Sequence, residues 1–83
     1  MLVPEKTLFI VQQFERSGKR LVSGRQMEFK TAAEAQGRAE RDAARTAGVV
    51  ALQQTIDTDT GEVVEDPVVL ARYGELPAEF NQD

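Results

Sequence analysis

The chain contains no cysteine and no histidine. The first absence removes disulfides, thiolate nucleophiles and zinc–thiolate sites. The second removes the usual proton shuttle at neutral pH and the commonest metal ligand. Long apolar runs are missing too. The one nearest the N-terminus, Leu8 to Val11, is too short for the apolar region of a signal peptide. No stretch approaches the ~20 apolar residues of a membrane-spanning helix. These absences predict an intracellular, cytoplasmic protein that folds by packing alone.

What is present bounds the fold. The 83 residues are 41% hydrophobic and 29% charged, a globular composition. One domain is expected over 1–83, with an ordered core from about residue 6 to 77 and frayed ends at 1–5 and 78–83. A core of this size is thin, and a large buried active site is not expected.

Charge is unevenly distributed. Residues 1–30 carry six basic side chains against three acids, a net of +3. Residues 49–83 carry Arg72 against eight acids, a net of −7. The overall charge of −4 disfavours general nucleic-acid binding, which needs positive surface to neutralise phosphate. The asymmetry leaves room for a local basic patch or for head-to-tail association between unlike ends.

Lys6 to Phe14 is rich in β-branched and aromatic residues and free of Gly and Pro, which predicts a strand. Leu8, Ile10 and Phe14 fall on one face and Phe9 and Val11 on the other. Glu15 to Gly18 reads as a turn, with Gly18 supplying a positive φ. Lys19 to Phe29 is the return strand, with Leu21, Met27 and Phe29 on one face and a bulge at Gly24. Thr31-Ala-Ala-Glu34 is a capping box, and a helix is expected to about Ala47 with Gly48 at its C′ position. Ala35, Ala39, Ala43 and Ala47 line its inner face; Glu34, Arg38, Arg41, Asp42 and Arg45 line its outer face, with Glu34–Arg38 as an i, i+4 ion pair. Val49 to Asp57 is a third strand, with Val50, Leu52 and Ile56 on one face. Asp57 to Gly61 turns, and Glu62 starts a return strand that Pro67 ends. Asp66-Pro67 and Gly74 bracket a short helix over 67–73, although Val68 and Val69 favour a strand. The fold class is therefore α+β, in the order ββαββ: an antiparallel sheet with one Ala-rich helix across a face, and a short C-terminal helix.

Three motifs bear on chemistry. Asp57-x-Asp59-x-Gly61-Glu62 is half of a calcium loop, but Val68 stands where its bidentate Glu belongs, so it reads as a polar turn. Ser17-Gly18-Lys19-Arg20 lacks the upstream glycine and the following helix of a phosphate loop. Ser17 and Ser23 have no histidine to activate them. No catalytic residue, metal ligand or cofactor is predicted.

The candidate interaction surface is Phe9 and Val11, on a strand apolar on both faces, together with Arg16, Lys19, Arg20 and Arg25 around the first hairpin. The segment Tyr73 to Pro77 could fold over Phe9 and Val11 or leave them open. Gly48 to Leu52 and Pro67 to Pro77 resemble parts of short uncharacterised bacterial proteins. That resemblance implies no activity and no site residues. The leading expectation is a small non-enzymatic protein-interaction module whose partner is another protein or, through its sheet, a second copy of itself. The alternatives are nucleic-acid binding through the basic hairpin and, third, a carboxylate- or metal-dependent enzyme. No membrane and no small-molecule partner is expected.

Overall fold

Nothing between Glu5 and Ser17 breaks an extended chain, and these residues form the longest strand. In a computed structural model, which describes residues 4–80, β1 (Glu5–Ser17) pairs with β2 (Arg20–Phe29) on one side and β3 (Gly48–Asp57) on the other. β4 (Val68–Gly74) adds to the far side of β3. All pairings are antiparallel in a four-stranded sheet of order β2-β1-β3-β4. A helix, α1 (Ala32–Asp42), crosses one face. The ββαββ order read from the sequence is the order of the fold.

The first hairpin closes through Gly18 and Lys19, with Ser17 opposite Arg20. Gly18 has φ 61°, and among the described residues only glycines take a positive φ. A positive angle at the first central position only is the type II′ turn, whose twist matches that of the strands. The bulge at Gly24 is real: Gln12 faces Gln26 and Phe14 faces Ser23, so β2 carries one extra residue. The Gln12 side-chain amide donates to the carbonyls of Gln13 (2.9 Å) and Gly24 (3.2 Å), filling acceptors the bulge exposes. The extra residue flips the alternation of β2. Met27 and Phe29 therefore lie under the helix, opposite Val11 and Phe9, while Leu21, opposite Arg16, lies on the other face. The expectation that all three share a face fails for this reason.

Thr31 caps α1 as expected, its hydroxyl oxygen accepting from the Glu34 N–H at 3.1 Å. The helix stops at Asp42, short of Ala47. The Asp42 carbonyl accepts from the Arg45 N–H (2.9 Å), an i+3 bond of the tighter 3-10 type, and from the N–H (3.1 Å) and hydroxyl (3.0 Å) of Thr46, so the chain continues as a turn that satisfies the last carbonyl. Gly48 is thus the first residue of β3 rather than a helix C′. Asp42 is not on the outer face: seven residues after Ala35, it completes the inner stripe and is 5% exposed. Its carboxylate accepts from the Gln13 amide at 2.7 Å and from Arg38 Nε at 3.0 Å. Arg38 therefore pairs with Asp42 rather than Glu34, and Glu34 turns back to the Thr31 hydroxyl. Burial pushes the Asp42 carboxyl up; the Gln13 and Arg38 hydrogen bonds and the charges of Arg38 and Arg45 outweigh it and hold the group below the usual carboxylate range.

Residues 67–73 are not a helix. Seven residues make a marginal helix, whereas Val68 to Gly74 pair with β3 from Gln53 to Gly48. The return begins earlier: Val63 bridges Ile56, and the Val64 N–H donates to Thr55 O at 3.1 Å. Pairing lapses near Pro67, which has no N–H to offer, and resumes at Val68. Regular structure continues past both ends of the 6–77 span. Glu5 opens β1, and Ala78–Phe80 form a 3-10 turn. The remaining residues for which fraying was expected, 1–3 and 81–83, lie outside the described residues.

The core is Val11, Ala35, Ala39, Val49 and Ala51, all 0% exposed, with Phe9, Met27, Phe29, Leu70 and Tyr73 around them. Alanine at 35 and 39 lets the helix axis lie close to the sheet, so the small residues are what make this thin core dense.

Candidate interaction face

The two faces of the sheet differ in what covers them. Phe9 and Val11 belong to the helix-covered face, and Val11 is fully buried. Val11 is a core residue that presents no docking surface, and Phe9, partly buried, packs against the same core. This corrects the assignment made from sequence, where alternation defined two faces but could not say which one the helix takes.

The helix-free face carries Leu8, Ile10 and Phe14 from β1 with Val50, Leu52 and Ile56 from β3. Ile10 sits opposite Leu52 and Gln12 opposite Val50. The C-terminal segment covers one end of this face. The Phe80 ring lies 5.9 Å from that of Phe14, and Arg72 Nη1 donates to Phe80 O at 3.0 Å. Beneath this cover Phe14 is 4% and Val50 0% exposed. The segment after Tyr73 therefore does fold over a sheet face, but over Phe14 rather than over Phe9 and Val11. Tyr73 itself is in β4 and packs toward the helix core.

Beyond the cover the face stays open. Leu8, Ile10, Leu52 and Ile56 are partly exposed, and Val63, bridged to Ile56 on the same face, is 48% exposed. A depression of about 330 Å³ lies where the cover stops, with Leu52 and Val69 in its lining alongside Asp66, Pro67, Glu79 and Phe80.

The basic residues named from sequence sit around the first hairpin. β1 pairs with β3 only as far as Phe14 opposite Gly48, but with β2 out to Ser17. The hairpin tip is therefore a two-stranded arm projecting past β3. Arg16 donates to the Lys19 carbonyl at 2.9 Å and is ion-paired with Glu75. Lys19 and Arg20 are exposed at the tip, and Arg25 is exposed at the bulge. Arg25 lies five residues along β2 from Arg20, at the bulge rather than at the tip.

The opposite end is acidic. Asp57 and Glu5 face each other across β3 and β1, and Asp59, Glu62, Glu65 and Asp66 follow in the connection to β4. Asp57 Oδ1 accepts from its own turn, from the N–H groups of Asp59 (2.8 Å) and Thr60 (3.4 Å). This is a turn stabilised by its own carboxylate. Among the described residues no three acidic side chains gather into a metal-holding group, and no helix is long and apolar enough to cross a membrane.

Sequence reasoning missed Gln13 and Asp42, the pair that ties α1 to β1. The helical period would have found Asp42, since 35, 39 and 42 share one stripe. No family model, curated protein or solved structure matches the chain.

Proposed function

We propose that the chain is a small, cytoplasmic, non-enzymatic interaction module that receives a protein partner on the helix-free face of its sheet. The observation that carries this reading is the open apolar stripe of Leu8, Ile10, Leu52, Ile56 and Val63, left bare where the C-terminal cover ends. A sheet in so small a domain buries one face with its helix, and an apolar second face gains stability by meeting another surface. The test is a photo-crosslinking residue at Gln54, which sits opposite Leu8 on this face, with Glu40 on the exposed side of α1 as the control. Protein adducts at Gln54 and not at Glu40 are expected. Equal labelling at both sites, or none at Gln54, overturns the reading.

Nucleic-acid binding is the weaker alternative. Arg16 is neutralised by Glu75, which leaves Lys19 and Arg20 at the tip, too few cations for a phosphate-tracking surface. A DNA and RNA titration at low salt, repeated with Lys19→Ala and Arg20→Ala, separates the two. Binding that those changes abolish would favour nucleic acid.

A further inference from the structure

The molecule is elongated, 50 × 24 × 23 Å, and its charge is sorted along its length. The arm carrying Lys19 and Arg20 projects from one end. The acidic turn, with Asp57, Asp59 and Glu62, lies at the other and outweighs Lys6, which stands opposite Ile56 there; on the arm side Arg16 is paired with Glu75, and Glu15 is the remaining acid on the strand. The open apolar stripe lies between them, and the cover formed by residues 75–80 stands as a ridge on the arm side of it. We infer that the occupant of the helix-free face is a second copy of this chain, turned end for end about a two-fold axis near the Ile10–Leu52 pair. The inference rests on the reading of that face as a docking surface and adds the identity and orientation of what docks.

Two observations converge on this arrangement. The first is charge. A two-fold axis perpendicular to the long direction lays each arm along the other copy's acidic end, so both unlike contacts form at once. A parallel arrangement would set arm against arm and acid against acid, a juxtaposition that costs affinity. The second is relief. The ridge of each copy falls toward the bare end of the other, around Leu8, Ile56 and Val63. The end of the face with cover meets the end without it. An isologous contact of this kind is the commonest form of self-association, because one patch serves both copies.

The experiment is sedimentation equilibrium of the purified chain with two charge-reversed variants, Lys19→Glu/Arg20→Glu and Asp59→Lys/Glu62→Lys. All four positions are exposed and outside the core. The unaltered chain should dimerise with concentration, and raising salt from about 0.05 to about 1 M should weaken the dimer as screening shortens to about 3 Å. Each variant alone should dimerise at least about tenfold more weakly, since like charges then meet at both ends. Mixed in equal amounts, the two variants should recover dimers, because in the mixed pair every arm faces an end of opposite sign. Failure of the mixture to recover overturns the antiparallel arrangement. A chain that stays monomeric overturns self-association; if Gln54 still crosslinks to a different protein, the docking face stands and only its occupant was wrong. Should a reversed variant lose its far-UV CD spectrum, Lys19→Gln/Arg20→Gln and Asp59→Asn/Glu62→Gln serve instead, and an unchanged salt dependence in both would overturn the charge argument.

Discussion

Gly48→Ala tests the tightest backbone approach in the molecule. Gly48 opens β3 opposite Gly74. A Cβ at this position would overlap the Glu75 carbonyl oxygen and lie 2.7 Å from the Glu75 carbonyl carbon and 3.1 Å from its nitrogen. The obstacle is backbone, so no side-chain rotation relieves it. Residue 75 must retreat by roughly 1.5–2 Å to restore ordinary van der Waals distance. That retreat breaks the hydrogen bond from Glu75 N–H to Ala47 O, 2.9 Å, and loosens the Gly48–Gly74 end of the ladder. It also shifts the segment that sets Phe80 on Phe14. Two backbone hydrogen bonds at about 1 kcal/mol each and a ring contact at about 1 kcal/mol give a loss of ~3 kcal/mol. The smaller entropy of the unfolded alanine chain returns about 0.5 kcal/mol. A net destabilisation of ~2.5 kcal/mol is expected, read by urea denaturation as a lower midpoint at unchanged slope and by thermal CD as a Tm lower by roughly 10 °C or more. Gly37→Ala is the internal control. It lies inside α1, where an added methyl carbon would meet nothing within 4 Å, and the same substitution there should stabilise by about 0.5–1 kcal/mol. A Gly48→Ala protein within about 0.5 kcal/mol of the unaltered chain, the usual range of surface substitutions, would refute the reasoning.

Two further perturbations probe the supports of the fold. Asp42 has a lowered folded pKa against an ordinary 3.8, so its stabilisation is complete above that ordinary value and is lost as pH falls through the lower folded value. Asp42→Asn should cost about 1–3 kcal/mol at neutral pH and flatten the acid limb of a stability–pH curve below the unfolded pKa; an unchanged acid limb would show that the carboxylate is not coupled to folding. Phe80→Ala removes the ring set against Phe14 and should cost about 1–2 kcal/mol, with increased binding of a hydrophobic dye as Phe14 and Val50 lose their cover. No rise in dye binding would mean that the 3-10 turn is not what covers that end of the face.

Much of the fold was legible along the chain because its signals are local. Thr31 and Glu34 define a helix start within four residues. Gly18 defines a hairpin turn by its backbone freedom, and Gly24 marks a bulge. The misread segments are those where a local signal competes with a distant partner. Asp66-Pro67 and Gly74 are sound helix brackets, but the backbone of 68–74 finds a full ladder on β3 and takes it. The helix ends at Asp42, where the i+3 bond from Arg45 tightens the next turn and the carboxylate is held by Gln13 from another strand. Leu21 changes face because one extra residue at Gly24–Arg25 reverses the alternation that follows from sequence alone.

The candidate site divides the same way. Sequence by itself determined that β1 is apolar on both faces, that basic residues gather at the first hairpin and acids after β3, and that neither histidine nor cysteine chemistry is available. These are properties of composition and period, which no tertiary contact alters. Only the tertiary structure decided that the helix covers Phe9 and Val11, that Phe80 covers Phe14, and that Leu8, Ile10, Leu52 and Ile56 remain. Alternation assigns side chains to two faces but is symmetric between them. The choice is made by what each face meets: an alanine-lined helix that can approach closely on one side, and on the other a short turn that reaches only part of the way.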